Sequence, residues 1–331
     1  MTDPLADALG DRLGGAVDAL TRLSGGASRE TWSFRLDGRP LIVQRRRTAL
    51  TELGADAAEA GAVEADLLAA AAASGVPVPV VVDHGDGDDG FGAPWLVSEH
   101  VEGESLPRRL LGDEAFAAVR GRLAFECGAA LARIHSIDPA PFVGRLPEHE
   151  PVGMLYDVLD LCGAAEPALE LGLRWLRNNP PAPRPQVVVH GDFRTGNLLV
   201  RPDADARPGL AAVLDWELAH LGAPAEDLGW FCARAWRFGS PLPAGGVGSV
   251  DDLLAGYHSV AHAGAAAITV EEVRWWELLA TLRWGVICVM QAQAHLGGVT
   301  RSVELATIGR RTCEAEFDAL TLLDELAGSG P

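Results

Sequence analysis

The chain has 331 residues, 48% of them hydrophobic, enough for a sizeable core in two lobes. Its formal charge of −19 disfavours nonspecific binding to nucleic acid or to an anionic membrane. No apolar run is long enough to span a bilayer, the Met1-Thr2-Asp3-Pro4 start lacks a signal-peptide pattern, and the five dispersed cysteines include no Cys-x-x-Cys pair, so a reducing, cytoplasmic setting is expected, with the cysteines as small buried apolar residues.

In chain order, a Gly/Ser turn over Ser24-Gly25-Gly26-Ala27-Ser28 feeds a strand on which Trp32, Phe34 and Leu36 alternate as on a half-buried face. Asp37-Gly38 is a two-residue hairpin signal leading into Leu41-Ile42-Val43-Gln44-Arg45-Arg46-Arg47, the N-terminal strand that carries cations. Ala55 to Ser74 is alanine-rich and proline-free, and Val63, Leu67 and Ala71 recur at helical spacing, which predicts a helix with one face on a sheet. Gly75 and the stiff Val76-Pro77-Val78-Pro79 end it. Pro94 to Gly103 reads as a further strand. Asp113 to Ile137 predicts a long helix, capped by Asp113 and ended by Pro139, with Phe116, Val119, Leu123, Cys127, Leu131 and Ile134 at core spacing and His135 as a structural histidine. Leu161 to Asn178 predicts another helix, stopped by Pro180-Pro181, and a stiff linker follows to Pro185. Six of the nine tryptophans lie from Trp216 onward; Trp276, Leu279 and Arg283 share a helix face, for which packing is a cheaper explanation than a substrate groove.

Val187-Val188-Val189 and Leu198-Leu199-Val200 are short β-type runs enclosing the polar loop His190-Gly191-Asp192-Phe193-Arg194-Thr195-Gly196-Asn197. A third run, Leu210 to Leu214, ends on Asp215. Two acids and an amide at the ends of short strands suit a magnesium and general-base site. Asp192 would accept a proton from a hydroxyl, while Asn197 and Asp215 offer hard oxygens to Mg²⁺, which takes few protein ligands and completes its shell with phosphates. That order of residues is the layout of a kinase catalytic loop. Arg194 would either neutralise charge on a transferring phosphoryl group or face solvent. His190 is expected to orient the loop, and Asp227 to cap the following helix and brace the loop.

His190-Gly191-Asp192 with Asn197, followed by the run Asp215 to Trp230 (Asp-Trp-Glu-Leu-Ala-His-Leu-Gly-Ala-Pro-Ala-Glu-Asp-Leu-Gly-Trp), resembles the aminoglycoside phosphotransferase, or choline-kinase-like, family of small-molecule kinases. It is most similar to the branch that also occurs as kinase-like domains fused to acyl-CoA dehydrogenases. The likeness extends from about Leu23 to about Phe317. It implies an α+β, bilobal protein-kinase-like fold, with a nucleotide-binding lobe over 1–101 and a catalytic and substrate lobe over 102–331. It also implies ATP or another nucleoside triphosphate, Mg²⁺, and a small-molecule hydroxyl as acceptor, with no nucleic-acid or membrane partner; the oligomeric state is not legible.

The same resemblance implies that backbone N–H groups around Gly25, Gly26 and Ser28 approach the phosphates, although these residues alone also fit an ordinary hairpin turn. Glu99 through Val101 would form the hinge that meets the base. Kinases hold the phosphates with a third-strand lysine paired to a helix glutamate. This chain contains no lysine, so an arginine must serve, which its forked, permanently charged head allows. Arg45 is the choice, with Gln44 and Arg46 open by register and a purely surface role for the arginines also open. Glu64 is its expected partner and Glu59 the alternative.

Other readings share these residues. A protein kinase is disfavoured by the lack of an evident activation segment between Asp215 and Asp227. A non-catalytic nucleotide-binding pseudokinase is suggested by the missing lysine. A metal-dependent hydrolase would use His190, Asp192 and Asp215 as ligands. For the acceptor, the tryptophan-rich C-terminal part and the branch resemblance favour a hydroxylated metabolite with an apolar or acyl portion. An aminoglycoside 3′-type activity is the alternative, and the −19 charge favours it.

Overall fold

A computed structural model describes residues 3–23, 29–46, 57–87, 90–148, 150–260 and 266–328. The chain divides into two compact units, 1–103 with 211–217, and 104–210 with 218–331.

The first unit is built on an antiparallel sheet of β1 (Val17–Arg22), β2 (Arg29–Leu36), β3 (Arg39–Arg46), β4 (Val81–Gly85) and β5 (Trp95–Glu99), in the order β1-β2-β3-β5-β4. The β2–β3 hairpin turns on Asp37 and Gly38, both at positive φ (51° and 84°), as the sequence predicts for a tight turn that matches strand twist. Strand alternation separates two faces. Phe34, Leu41, Val43, Trp95 and Val97 face one way and pack with Phe91 and with Leu5 and Leu9 of α1 (Pro4–Leu13). Asp3 caps that helix by accepting the Leu5 N–H, and left-handed Gly14 ends it. Neither α1 nor β1 is apparent from the sequence pattern. On the other face, Gly61 and Glu64 of α2 (Ala57–Ala73) line one small cavity with Gln44 and Leu96. Val63, Leu67 and Ala71 of α2 are buried, as their spacing requires.

The second unit is mainly helical: α3 (Pro107–Gly112), α4 (Ala117–Ile134), α5 (Pro151–Cys162), α6 (Pro167–Asn178), α7 (Ala225–Cys232), α8 (Val250–Val260), α9 (Val270–Leu296), α10 (Val303–Gly309) and α11 (Thr312–Gly328). α9 is the central pillar, packed by α5, α6, α7, α10 and α11, while α4 packs on α8. Short strands β6 (Val187–Val189) and β9 (His220–Gly222) pair antiparallel, β7 (Leu198–Arg201) follows the polar loop, and β8 (Gly209–Val213) carries the chain back into the first unit. Among the described residues no helix is long and apolar enough to cross a membrane.

Three expectations change. The single helix over Leu161 to Asn178 is two, because left-handed Gly163 (φ 59°) ends α5 and Pro167 starts α6. The long helix begins at Ala117 and is capped by Asp203, whose carboxylate accepts the Ala118 and Val119 N–H groups (2.9 and 2.8 Å); Asp113 instead closes α3 and takes Arg109. Of the cysteines, Cys127, Cys232 and Cys288 are buried but Cys313 is exposed.

Candidate active site

The polar loop leaves β6 and is fastened from below by one acid. Asp227, fully buried in the first turn of α7, accepts the backbone N–H of His190 (2.8 Å) and of Gly191 (2.9 Å). Its Oδ2 also meets His135 Nε2 at 3.2 Å, and His135 Nδ1 lies 2.9 Å from the Tyr257 hydroxyl. Burial opposes ionisation of Asp227, but the contacts with His135, the His190 imidazole and the His190 N–H outweigh it and hold the carboxyl below its ordinary pKa. Asp227 therefore braces the loop, as expected, but it does not cap α7: it lies inside the helix, whose N-cap is Pro224.

Gly191 has φ 79°, and a Cβ there would lie 2.2 Å from the Leu218 carbonyl oxygen, so only glycine fits this turn. His190 is fully buried and its Nδ1 accepts the Asp192 N–H at 3.2 Å, the orienting role expected of it. Phe193 is buried edge-on against His190 and Phe231, and the Thr195 hydroxyl donates to the Gly245 carbonyl at 2.7 Å. His190, Gly191, Phe193 and Thr195 thus anchor the loop around Asp192 to buried partners.

Asp192 itself is half-buried and held by three donors. Asn197 Nδ2 reaches Oδ2 at 2.8 Å and the Asp192 carbonyl at 3.0 Å, Trp230 Nε1 reaches Oδ1 at 2.9 Å, and Arg194 Nε lies 3.1 Å from both oxygens. Arg194 rests over the Trp236 ring, 5.1 Å from its centroid, which fixes its charge beside the carboxylate. The structure thus brings together Asp192, Arg194 and Asn197. It adds Trp230, which the sequence reading named only as the end of the Asp-Leu-Gly-Trp run. Asn197 commits its amide nitrogen to Asp192 and so presents its carbonyl oxygen, the hard donor a magnesium ion requires.

In the first unit, Asp215 sits at φ 69°, a left-handed conformation uncommon for an L side chain and a form of strain that concentrates at functional sites. Trp216 anchors the adjoining turn through Nε1 to the Val213 carbonyl at 3.2 Å. Glu99 ends β5 and pairs with Arg39 at 2.5 Å, and Val101 follows two residues later with no hydrogen bond of its backbone among the described residues. Gly25, Gly26 and Ser28 lie outside the described residues, as does the side chain of Glu59.

The expected Arg45–Glu64 pair does not form. Arg45 shares a face with Leu41 and Val43 and binds Glu30 (2.7 Å) and the Phe91 carbonyl (3.0 Å). Glu64 approaches from α2 on the opposite face and meets Arg29, at 2.9 and 2.8 Å through the two terminal nitrogens. Arg29 Nε also donates to Glu217 Oε2 at 2.9 Å. Burial alone would lower the Arg29 pKa, but Glu64, Glu217 and Asp215 outweigh it and raise it further. The reason for the mismatch is strand alternation: one step along β3 moves a side chain to the other face.

The tryptophans are mostly core. Trp216, Trp230, Trp236, Trp275 and Trp276 are buried, so Trp276 and Leu279 pack rather than line a groove. Arg283 lies 4.6 Å above the Trp230 ring. Trp230, Trp236 and Trp284 pack in succession, tilted and then edge-on, with centroids 5.2 and 4.9 Å apart. This aromatic layer runs from Asp192 to a cavity of about 850 Å³ whose wall includes Trp284, Arg234, Arg237, Phe238, Arg311 and Phe317.

Over 226 residues the chain is 30% identical to mouse acyl-CoA dehydrogenase family member 10, a match covering 64% of this chain and 20% of that protein. The chain therefore spans about a fifth of the length of that relative. Among solved structures, a Ralstonia eutropha protein classed with the aminoglycoside phosphotransferases superposes with a TM-score of 0.71 at 20% identity, covering 96% of this chain and 98% of that one. A spectinomycin phosphotransferase, solved with ADP and spectinomycin, superposes with a TM-score of 0.62 at 11% identity over 96% and 97% of the two chains. These likenesses establish the protein-kinase-like α+β fold. Residues 19–286 match the phosphotransferase enzyme family, and the chain belongs to that family.

Proposed function

We propose that the protein transfers the terminal phosphoryl group of ATP, or another nucleoside triphosphate, to a hydroxyl of a small molecule, with Mg²⁺. The observation that carries this reading is the triply held carboxylate of Asp192 beside the Arg194 cation. Phosphoryl transfer asks the protein for positioning and charge stabilisation more than for strong bases. Asp192 accepts the hydroxyl proton, and Arg194 offsets charge on the transferring group. Asn197 and Asp215 are the oxygen donors for the metal, and the backbone of Glu99 to Val101 meets the base. Bound magnesium would neutralise the phosphate charge. The hydrolase reading loses support because His190 is fully buried and spends Nδ1 on the Asp192 N–H. The absence of lysine keeps a non-catalytic nucleotide binder as the competing reading.

For the acceptor we propose a hydroxylated metabolite with an apolar or acyl portion. The burial of most tryptophans removes one argument for it, but the aromatic-walled cavity supplies another. Its three arginines are each offset by an acid: Arg234 by Asp318, Arg237 by Glu277 and Arg311 by Glu314. That wall offers no concentrated negative charge for a polycation. The test is a thermal shift with Mg-ATP or Mg-GTP, followed by ADP-release kinetics on hydroxylated metabolites, hydroxyacyl thioesters and aminoglycosides. Stabilisation by a magnesium nucleotide is expected, because a ligand of the folded state raises its stability. No shift with any nucleotide would end the kinase reading. A kcat/KM above about 10⁴ M⁻¹s⁻¹ on an aminoglycoside would overturn the acceptor class.

A further inference from the structure

A lysine-free member of a phosphotransferase family must grip its nucleotide with another cation. On β3, Gln44 faces α2, is uncharged and lies opposite Thr31 of β2. Arg45 is on the far face, tied to Glu30 and the Phe91 carbonyl. Arg46 shares the α2 face and lies opposite Arg29 in the strand register. Among the described residues, Arg29 has its direction set by acids from two separate elements, Glu64 of α2 and Glu217 of the turn after Asp215.

We propose that Arg29, at the start of β2, holds the nucleotide phosphates in place of a third-strand lysine, with Glu64 and Glu217 as its positioning residues. The proposal rests on the kinase reading given above. Glu64 takes one N–H from each terminal nitrogen and Glu217 takes the Nε N–H, which leaves the remaining guanidinium N–H groups for phosphate oxygens. Holding a cation in advance of binding is what makes it effective, since its ordering is not repeated at each turnover. Arg29 also directly follows Gly25-Gly26-Ala27-Ser28 in the chain, so the cation and the proposed phosphate loop are sequence neighbours. Three carboxylates act on this one cation, Glu64, Glu217 and Asp215, an acidic excess that favours a magnesium nucleotide over a bare one.

The experiment compares affinities for Mg-ADP and for adenosine by calorimetry on the full chain. Arg29→Gln should weaken Mg-ADP by about 10- to 100-fold while leaving adenosine within about twofold, the loss expected when charge-assisted hydrogen bonds to phosphate disappear. Adding Gln44→Lys in the Arg29→Gln background should recover part of that loss by restoring a cation to the same face. Should Arg29→Gln fail to fold, Arg29→Lys serves instead: it keeps the charge, loses the fork and should weaken Mg-ADP several-fold with adenosine unchanged. A ratio of Mg-ADP to adenosine affinity that does not move in these variants, or a loss found only with Arg46→Gln or Arg45→Gln, overturns the assignment while leaving the kinase reading intact. If the unmodified protein binds neither compound, the kinase reading fails and the assignment fails with it.

Discussion

Replacing Asp227 by Asn tests whether one buried carboxylate holds the catalytic loop. The carboxylate accepts two backbone N–H groups at 2.8 and 2.9 Å and contacts His135 at 3.2 Å, with no exposure to solvent. An amide offers one acceptor oxygen and turns an NH₂ group toward one of these donors. Hydrogen bonds to a charged group contribute about 1.5–3 kcal/mol each, and removing one member of a buried charged set costs about 3–5 kcal/mol. Asp227→Asn should therefore destabilise the protein by about 3–4 kcal/mol at pH 7, lowering Tm by on the order of 10 °C. The pH dependence carries a sign. The native pKa of Asp227 is below its unfolded value, so its stabilisation is complete above the ordinary carboxylate value, about 3.9, and is lost as pH falls through the lowered native value. The gap between wild type and variant should narrow as pH falls below about 5. Urea unfolding across that range measures it. A gap under about 1 kcal/mol at pH 7, or one that widens on acidification, would refute the bracing role.

Asp192→Asn should abolish ADP release in the presence of acceptor yet keep Mg-nucleotide affinity, whereas Asp215→Asn should weaken both; equal losses of affinity would show that base and metal donor have been confused. Trp230→Phe keeps the ring but removes the N–H given to Asp192 Oδ1 at 2.9 Å, so kcat should fall by about tenfold with KM for nucleotide unchanged, and an unaltered kcat in steady-state assays would deny Trp230 a positioning role. Gly191→Ala forces a Cβ to 2.2 Å from the Leu218 carbonyl at φ 79°, so thermal unfolding should show a loss of about 2–4 kcal/mol, and a fully stable variant would mean that the turn has another conformation.

How much was legible follows from the range of each interaction. The Asp37-Gly38 turn, the buried face of α2 and the His190 to Asn197 loop are local patterns, each readable within a few residues. So is the α+β class, because strand alternation and helix periodicity are local properties of the backbone. The break at Gly163 and Pro167 was also written locally, in a left-handed stop followed by a helix-starting proline, and the longer apolar pattern across it obscured the signal.

By itself, the sequence determined which chemistry is present: an Asp base candidate with its Asn and Arg, a later Asp, and no lysine to accompany them. Tertiary structure alone decided which groups act on one another. Arg29 and Glu217 are 188 positions apart, Asp203 caps a helix 84 to 85 positions before it, and Trp230 reaches Asp192 across 38. The first pairing depends on which face of β2 Arg29 occupies, which a single-residue step would reverse, and the other two on where a turn and a helix return along the chain. This is why Glu64 met an arginine, as its chemistry required, but an arginine of β2 rather than of β3.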